Sequence, residues 1–156
     1  MPRCARAGVA ATAPRRKVAF TGIHHTAVIV DDLERSLAFY HGVLGMEVSR
    51  NPARPDRNLP FRGAFLKIGH ESMHLMELDN PDPLDPAVRP DHGGRDRHFC
   101  VGVESVADVI AELEKAGVPY TASKSGRAAV FFRDPDMNTM ECLELKAVDG
   151  VAPWRA

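Results

Sequence analysis

The stretch IHHTAVIVDDLERSLAFYHGVLGM, residues 23–46, changes its apolar period from that of a strand to that of a helix. Residues 23–30 alternate in the way a half-buried strand does. One helical stripe then follows, formed by Leu33, Leu37, Tyr40 and Leu44. Asp31 with Glu34 predicts a capping box at the start of this helix, and Gly45 predicts its end. The segment is therefore predicted to be a strand followed by a helix.

The same order of elements returns in RHFCVGVESVADVIAELEKAG, residues 97–117. An apolar strand leads into a helical stripe that begins near Ser105, and Gly117 predicts the end of the helix. Further strands are predicted after each helix, at Met46–Arg50, Gly63–Ile68 and Ser72–Asp79 in the first case and at Tyr120–Ala122, Ala128–Arg133 and Thr139–Leu145 in the second. The chain is therefore predicted to repeat one βαβββ unit.

Such a repeat predicts an α+β fold in which two βαβββ modules form a curved mixed sheet, or two sheets, around a concave pocket with the helices outside. One domain is expected over 19–147, with modules at 19–80 and 95–147 and a Pro/Asp-rich linker at 81–94. Each helix would cover one sheet face, so the opposite face would be left to line the pocket. Residues 148–156 are expected to form a C-terminal tail.

Composition excludes several classes of protein. The chain has 156 residues, which suit one domain, and a formal net charge of −1, which argues against a nucleic-acid partner. It has no apolar run of ~18 residues, so we expect no membrane partner. Three cysteines indicate a reducing compartment. Residues 1–18 are either a basic tail or a transit segment. We therefore expect a cytoplasmic protein, or a plastid or mitochondrial one if residues 1–17 are a transit segment.

Each module pairs a histidine on its first strand with a glutamate in its last strand. These pairs are His25 with Glu77 and His98 with Glu141. A carboxylate within an apolar strand is costly unless it is paired or bound to a metal. Two imidazoles and two carboxylates suit one divalent ion, such as Ni, Co, Mn, Fe or Zn, so we predict a metal site from these four residues. The other histidines show no repeated partner: His24, His41, His70, His74 and His92.

Two motifs resemble those of a known family. HTAVIVDDL, residues 25–33, continued by Ser36 and by LGM at 44–46, resembles the first signature of glyoxalase I. More broadly it resembles the vicinal oxygen chelate superfamily, which includes bleomycin resistance proteins and extradiol dioxygenases. DPDMN, residues 134–138, followed by Glu141, resembles the closing hairpin of that superfamily.

The resemblance implies paired βαβββ modules around a divalent metal, commonly in a homodimer, with Ni or Co favoured in short members of the family. His25, Glu77, His98 and Glu141 match the ligand positions. The implied activity is that of a lyase that isomerises an α-hydroxycarbonyl or hemithioacetal adduct through a metal-bound enediolate. Glu141 is our first candidate for the catalytic base and Glu77 the second. An anionic part of the small-molecule substrate would be held by Arg97 or Arg62.

Departures from the family pattern leave the substrate open. Ile29 stands where glutathione-using members carry an arginine, and Pro81 stands where they carry an asparagine. Arg97 and Met137 each replace a usual glycine. Glutathione use therefore stays uncertain. The alternatives are an Fe-dependent extradiol-type dioxygenase, a metal-free binding protein of the bleomycin-resistance type, and an epimerase or a thiol transferase.

Overall fold

The computed structural model describes residues 22–49, 59–82 and 84–146, so the predicted N-terminal and C-terminal tails lie outside the described residues. The strands are β1 (His25–Val30), β2 (Gly63–Ile68), β3 (Glu71–Glu77), β4 (His98–Val103), β5 (Tyr120–Ala122), β6 (Ala129–Arg133) and β7 (Thr139–Glu144). The helices are α1 (Leu33–Leu37), continued by a π-helical segment over Ala38–Val43, and α2 (Val106–Lys115). No helix in the described ranges is both long enough and apolar enough to cross a membrane.

The strands form two sheets that repeat one topology. Their orders are β1-β3-β2 and β4-β7-β6-β5. In each sheet the first strand lies parallel to the last, and the last pairs antiparallel with the strand before it. A single antiparallel bridge joins Val48 to Leu66 at the place in the first sheet that β5 occupies in the second. The α+β fold of two βαβββ modules is confirmed, with the modules in separate sheets.

Two local predictions need correction. The strand predicted at Met46–Arg50 is reduced, within the described residues, to the bridge at Val48, held by hydrogen bonds to β2 such as Ser49 N to Phe65 O (2.7 Å). The N-cap of α1 is Asp32, not Asp31, and its carboxylate accepts a hydrogen bond from Arg35 N (2.9 Å). Asp32 is the N-cap because helical hydrogen bonding begins at its carbonyl, which accepts from Ser36 N (3.1 Å), whereas the N–H of Asp31 donates to a carboxylate of the second module (3.1 Å).

The start of α2 and the ends of both helical segments lie where the sequence predicts them. Ser105 caps α2 by accepting a hydrogen bond from Asp108 N (3.1 Å), and the buried Val106 and Leu113 pack toward β6 and β7. Gly45 and Gly117 end the two helical segments with φ of 70° and 69°. These left-handed conformations favour glycine, which explains why the two glycines mark equivalent points of the repeat.

One apolar core joins the modules. It takes residues of both helices and the inner face of each sheet, including Val30, Leu66, Met73, Leu75, Val101, Val130, Phe132 and Met140. Successive strand residues point to opposite faces, so His25 and His98 lie on the faces turned away from this core. We name these the first and second histidine faces. The core fixes the two sheets but covers neither histidine.

A buried polar network also joins the modules. The turn between β6 and β7 carries Asp134 and Asp136, which accept hydrogen bonds from the helix of the first module. Tyr40 Oη donates to Asp134 Oδ2 (2.8 Å), and Ser36 Oγ donates to Asp136 Oδ2 (3.2 Å). Burial, together with the Asp134 carboxylate, raises the pKa of Tyr40 well above its usual value, so its hydroxyl stays a donor.

Candidate metal site

The second histidine face carries an imidazole and a carboxylate in contact. His98 begins β4, and Glu141 lies on β7 beside Cys100. His98 Nε2 is 3.3 Å from Glu141 Oε2, and His98 Nδ1 donates to Asp96 O (2.8 Å). That bond fixes the tautomer whose Nε2 is an acceptor and turns it toward the carboxylate. Two donors about 2.1 Å from one ion lie roughly 3.0–3.4 Å apart. The pair therefore has the spacing of two ligands of one ion.

Glu141 has the environment of a carboxylate that needs a cation. Its residue is 5% exposed, and its Oε1 has no hydrogen-bond donor. The exposed guanidinium of Arg127 approaches this oxygen, with Nη2 3.5 Å from Oε1. Burial, and then the Glu141 charge, raises the pKa of the Cys100 thiol to about 11, which makes Cys100 a neutral neighbour. A buried carboxylate oxygen without a donor is costly, so a divalent ion fits this face.

The first histidine face carries two imidazoles. His25 is paired in register with Ser72, and His74 lies on the same face two residues further along β3. The ring of His74 stacks on Phe65, with centroids 4.1 Å apart and planes 12° apart, and is 6.3 Å from the ring of His25. His25 Nδ1 lies 2.8 Å from His24 Nδ1. His25 is exposed, whereas His74 is 6% exposed.

Glu77 lies on the opposite face of the first sheet from His25. It pairs in register with Val30, whose side chain is in the core, and Arg62 Nη1 lies 2.8 Å from its Oε2. The same guanidinium also contacts Glu34 (2.8 Å). The structure therefore does not bring Glu77 to the predicted ligand His25. The roles predicted for Glu77 as ligand or base, and for Arg62 in binding substrate, stay predictions.

Arg97, the other predicted substrate contact, is exposed beside His98 and forms an ion pair with Asp82 (2.6 Å). Its role also stays a prediction. A cleft of about 420 Å³ lies between the modules, and its lining includes Lys67, Asp108 and Glu112 but none of the four predicted ligands.

The two histidine faces remain separate within one chain. Across residues 22–49, 59–82 and 84–146, no group of three or more His, Cys, Asp or Glu side chains is close enough to hold a metal ion. His98 with Glu141 is one half of the predicted ligand set, and His25 is on the other face. Completing the predicted set requires the two faces to meet.

Self-similarity of the two last strands is the signal that the sequence reasoning missed. SMHLME, residues 72–77, and TMECLE, residues 139–144, agree at Met73 with Met140 and in ending on a glutamate. In this alignment His74 corresponds to Glu141, and Glu77 corresponds to Glu144. This alignment indicates that His74 is the counterpart of Glu141. Choosing a glutamate that comes after the histidine of the first module does not lead to His74.

Paired βαβββ modules with ligand-type side chains facing away from the core define a protein with the glyoxalase fold. The model of the Glyoxalase/Bleomycin resistance protein/Dioxygenase superfamily matches residues 22–142. The chain belongs to this superfamily, which confirms the resemblance seen in the two motifs.

Similar proteins include enzymes of different activity. Lactoylglutathione lyase of Salmonella typhimurium is 30% identical over 78% of this chain and 91% of its own length. Human mitochondrial methylmalonyl-CoA epimerase is 28% identical over 73% of this chain, which spans 67% of that protein. The crystal structure of lactoylglutathione lyase from Agrobacterium tumefaciens matches with a TM-score of 0.57 and 28% identity, covering 81% of this chain and 95% of that one.

Members of the superfamily bind divalent metals. A fosfomycin resistance protein, FosX, from Listeria monocytogenes was solved with Mn(II). It shares the fold at a TM-score of 0.59 and 20% identity, covering 85% of this chain and 97% of that one.

Proposed function

We propose that the protein is a metal-dependent lyase of the glyoxalase I type that isomerises an α-hydroxycarbonyl or hemithioacetal adduct. The observation that carries this proposal is the pair of His98 Nε2 and Glu141 Oε2, 3.3 Å apart, with a second buried oxygen on Glu141 that has only a long contact, 3.5 Å, with the exposed Arg127. The identity to lactoylglutathione lyase over most of both chains supports it.

Each residue of the second histidine face has a role in this proposal. A divalent ion held by His98 and Glu141 would supply Lewis acidity toward the substrate oxygens. Glu141 Oε1 would accept the proton from the carbon beside the carbonyl, since it is buried and its contact with Arg127 Nη2 is long, at 3.5 Å. Asp96 O keeps His98 in the tautomer that ligates through Nε2. Exposed Arg127, near Glu141, would hold an anionic part of the substrate.

We propose further that the working protein is a homodimer. His25 and His98 are both exposed and lie on separate faces of one chain. A second copy would bring the first histidine face of one chain against the second histidine face of the other. The site would then take ligands from two chains, and metal binding would depend on protein concentration.

An epimerase is the second candidate function. The identity to human methylmalonyl-CoA epimerase favours it. Inverting a carbon beside a carbonyl needs the same first step, removal of its proton by a positioned base. The two candidates share the role of Glu141 and differ in where the proton returns.

Metal content tests the site directly. Metal-free protein is reloaded with a mixture of nickel, cobalt, manganese, zinc and iron, and bound metal per chain is measured by mass spectrometry. We expect about one ion per site in the wild type and a large loss in Glu141→Gln. Glu144→Gln is the matched control, because Glu144 lies on the other face of the same strand and accepts from Val106 N (3.2 Å). No stoichiometric metal in the wild type would overturn the proposal.

Reaction in D₂O then separates the two activities. The loaded protein is given the hemithioacetal of methylglyoxal and glutathione, other thiol adducts, or methylmalonyl-CoA, and products are followed by proton NMR. Conversion of a hemithioacetal to a hydroxyacyl thioester supports the lyase. Exchange at the α-carbon of methylmalonyl-CoA with no lyase product supports the epimerase. Neither reaction with any metal would leave a binding protein.

A further inference from the structure

We propose that His74, rather than Glu77, is the second metal ligand of the first module. The ligand set is then His25 and His74 from one face and His98 and Glu141 from the other. This inference rests on the proposed metal-dependent function and changes one of its residues. It replaces a carboxylate donor by an imidazole.

The register of the repeated sheets carries the proposal. His25 and His98 each begin the first strand of a module. Two residues later in each strand, Ala27 pairs with His74 and Cys100 pairs with Glu141. The topology of the sheets is the same, so His74 occupies in the first module the position of Glu141 in the second.

Neighbouring positions support this equivalence. His25 pairs with Ser72 and His98 with Thr139, so a residue with a hydroxyl group lies directly opposite each histidine on the neighbouring strand. The next strand places Phe65 opposite His74, and the equivalent strand places a phenylalanine, Phe131, opposite Glu141. The two histidine faces therefore share a histidine, a hydroxyl and an aromatic ring in one pattern.

The rings of His74 and His25 are spaced so that, without side-chain movement, one ion could bind both only with the two nitrogens on nearly opposite sides of it. An imidazole nitrogen about 2.1 Å from an ion puts the ring centroid roughly 3.2 Å from it, so two rings on one ion lie at most roughly 6.4 Å apart. The observed separation is 6.3 Å. A Cβ on Gly63 would come within 2.9 Å of His74 Nε2, so the glycine lets the His74 ring pack closely against β2 in this position.

Glu77 already has a different role in the sheet. In the repeat it corresponds to Glu144, since Val30 pairs with Glu77 and Val103 pairs with Glu144. Both glutamates end their strands on the core side. Glu77 binds Arg62 through its side chain, and its N–H donates to Arg62 O (2.8 Å). Glu77 therefore holds Arg62, the residue before β2, through its side chain and its backbone.

The new donor set has consequences for the metal. Three imidazoles and one carboxylate favour zinc, cobalt and nickel over manganese, because carboxylate and water ligands suit manganese better. With Glu77 the set would hold two carboxylates and bind manganese relatively more strongly. Metal preference thus reports which residue ligates.

His74→Phe tests the proposal with little change of shape, since phenylalanine retains the stacking on Phe65 and loses both nitrogens. Glu77→Gln is the matched variant. Zinc and cobalt affinities are measured on the full chain by competition with a chelator, and the cobalt absorption spectrum is recorded. We expect His74→Phe to lose more affinity than the 10–100-fold typical of an outer partner of a ligand, and Glu77→Gln to stay within about threefold of wild type. Thermal unfolding of the metal-free proteins checks that both variants fold.

His74→Glu adds a second test, which measures a change in metal preference and does not depend on the loss of metal affinity in His74→Phe. It recreates in the first module the His–Glu pattern of the second, so we expect the variant to keep a bound ion and to shift its preference toward manganese. Wild-type affinity in His74→Phe together with loss in Glu77→Gln would overturn this inference and leave the lyase proposal standing. Absence of metal in the wild type would overturn both. If His74→Phe does not fold, the unchanged metal preference of His74→Glu would overturn it.

Discussion

Replacing Asp136 by alanine tests how the two modules are held together. Its side chain is fully buried and joins the closing turn of the second module to the helix of the first. It accepts hydrogen bonds from Asp31 N (3.1 Å), Arg35 Nη2 (2.6 Å) and Ser36 Oγ (3.2 Å). The alanine variant would break all three bonds at once and leave the buried hydroxyl without its acceptor.

The magnitude follows from the exposure of each partner. Arg35 is 46% exposed, so its ion pair contributes only about 0.5–1 kcal/mol. The buried Ser36 hydroxyl and the N–H of Asp31 each lose about 1–1.5 kcal/mol on losing a carboxylate acceptor. We therefore expect a decrease of about 3 kcal/mol in the free energy of unfolding, and a fall in Tm of about 8–10 °C for a chain of this length.

Urea unfolding followed by circular dichroism at 222 nm measures this decrease by linear extrapolation. Asp136→Asn should lose roughly half as much, because its amide keeps the shape and one acceptor oxygen. Glu47→Ala is the control, since its ion pair with Lys67 is exposed and should contribute less than about 0.5 kcal/mol. A loss below about 1 kcal/mol in Asp136→Ala would refute the reasoning and mean that the hydrogen bonds of Asp136 contribute little to holding the modules together.

Three further predictions follow from local geometry. Cys100, with its pKa raised from 9.0 to about 11, should react with iodoacetamide at pH 8 about 100-fold more slowly than an ordinary thiol, by peptide mapping, and faster in Glu141→Gln. Met137 has φ of 64°, so Met137→Gly should raise the free energy of unfolding by about 0.5–1 kcal/mol in urea titrations; a decrease would contradict the strain. Gly63→Ala would place a Cβ 2.6 Å from Leu75 O, so it should lower the free energy of unfolding by about 1–3 kcal/mol in the same titrations. Wild-type stability would show that β2 and β3 can move apart at this point without cost.

The sequence predicted the elements of this fold because their signals are local. Alternation, helical stripes and stop glycines each act within a few residues, and β2 has the predicted bounds, Gly63–Ile68. Asp32 rather than Asp31 is the N-cap, because the helical hydrogen bonds begin with Ser36 N and Asp32 O, and the N–H of Asp31 bonds to Asp136, more than a hundred residues away. No local pattern could indicate that contact.

The faces of the strands were harder to predict because they depend on register. Period two tells which residues of one strand share a face, but only the cross-strand partner tells which faces of two strands coincide. Pairing of Ala27 with His74 puts His74 on the side of His25, whereas a shift of one residue would have put Glu77 there. The sequence analysis chose Glu77 from the repeated His and Glu pairs and from the family resemblance, and neither of these contains the register of β1 with β3.

Separation of core from site explains why this fold can vary its chemistry. The core residues of β1 and β4 lie on one face, and the exposed His25 and His98 lie on the other, outside the apolar core. A substitution on a histidine face can therefore change the side chains presented there while the packing of the opposite face stays as it was. Two modules with the same pairing of first and last strands thus present different side chains at equivalent positions, an imidazole at His74 and a carboxylate at Glu141.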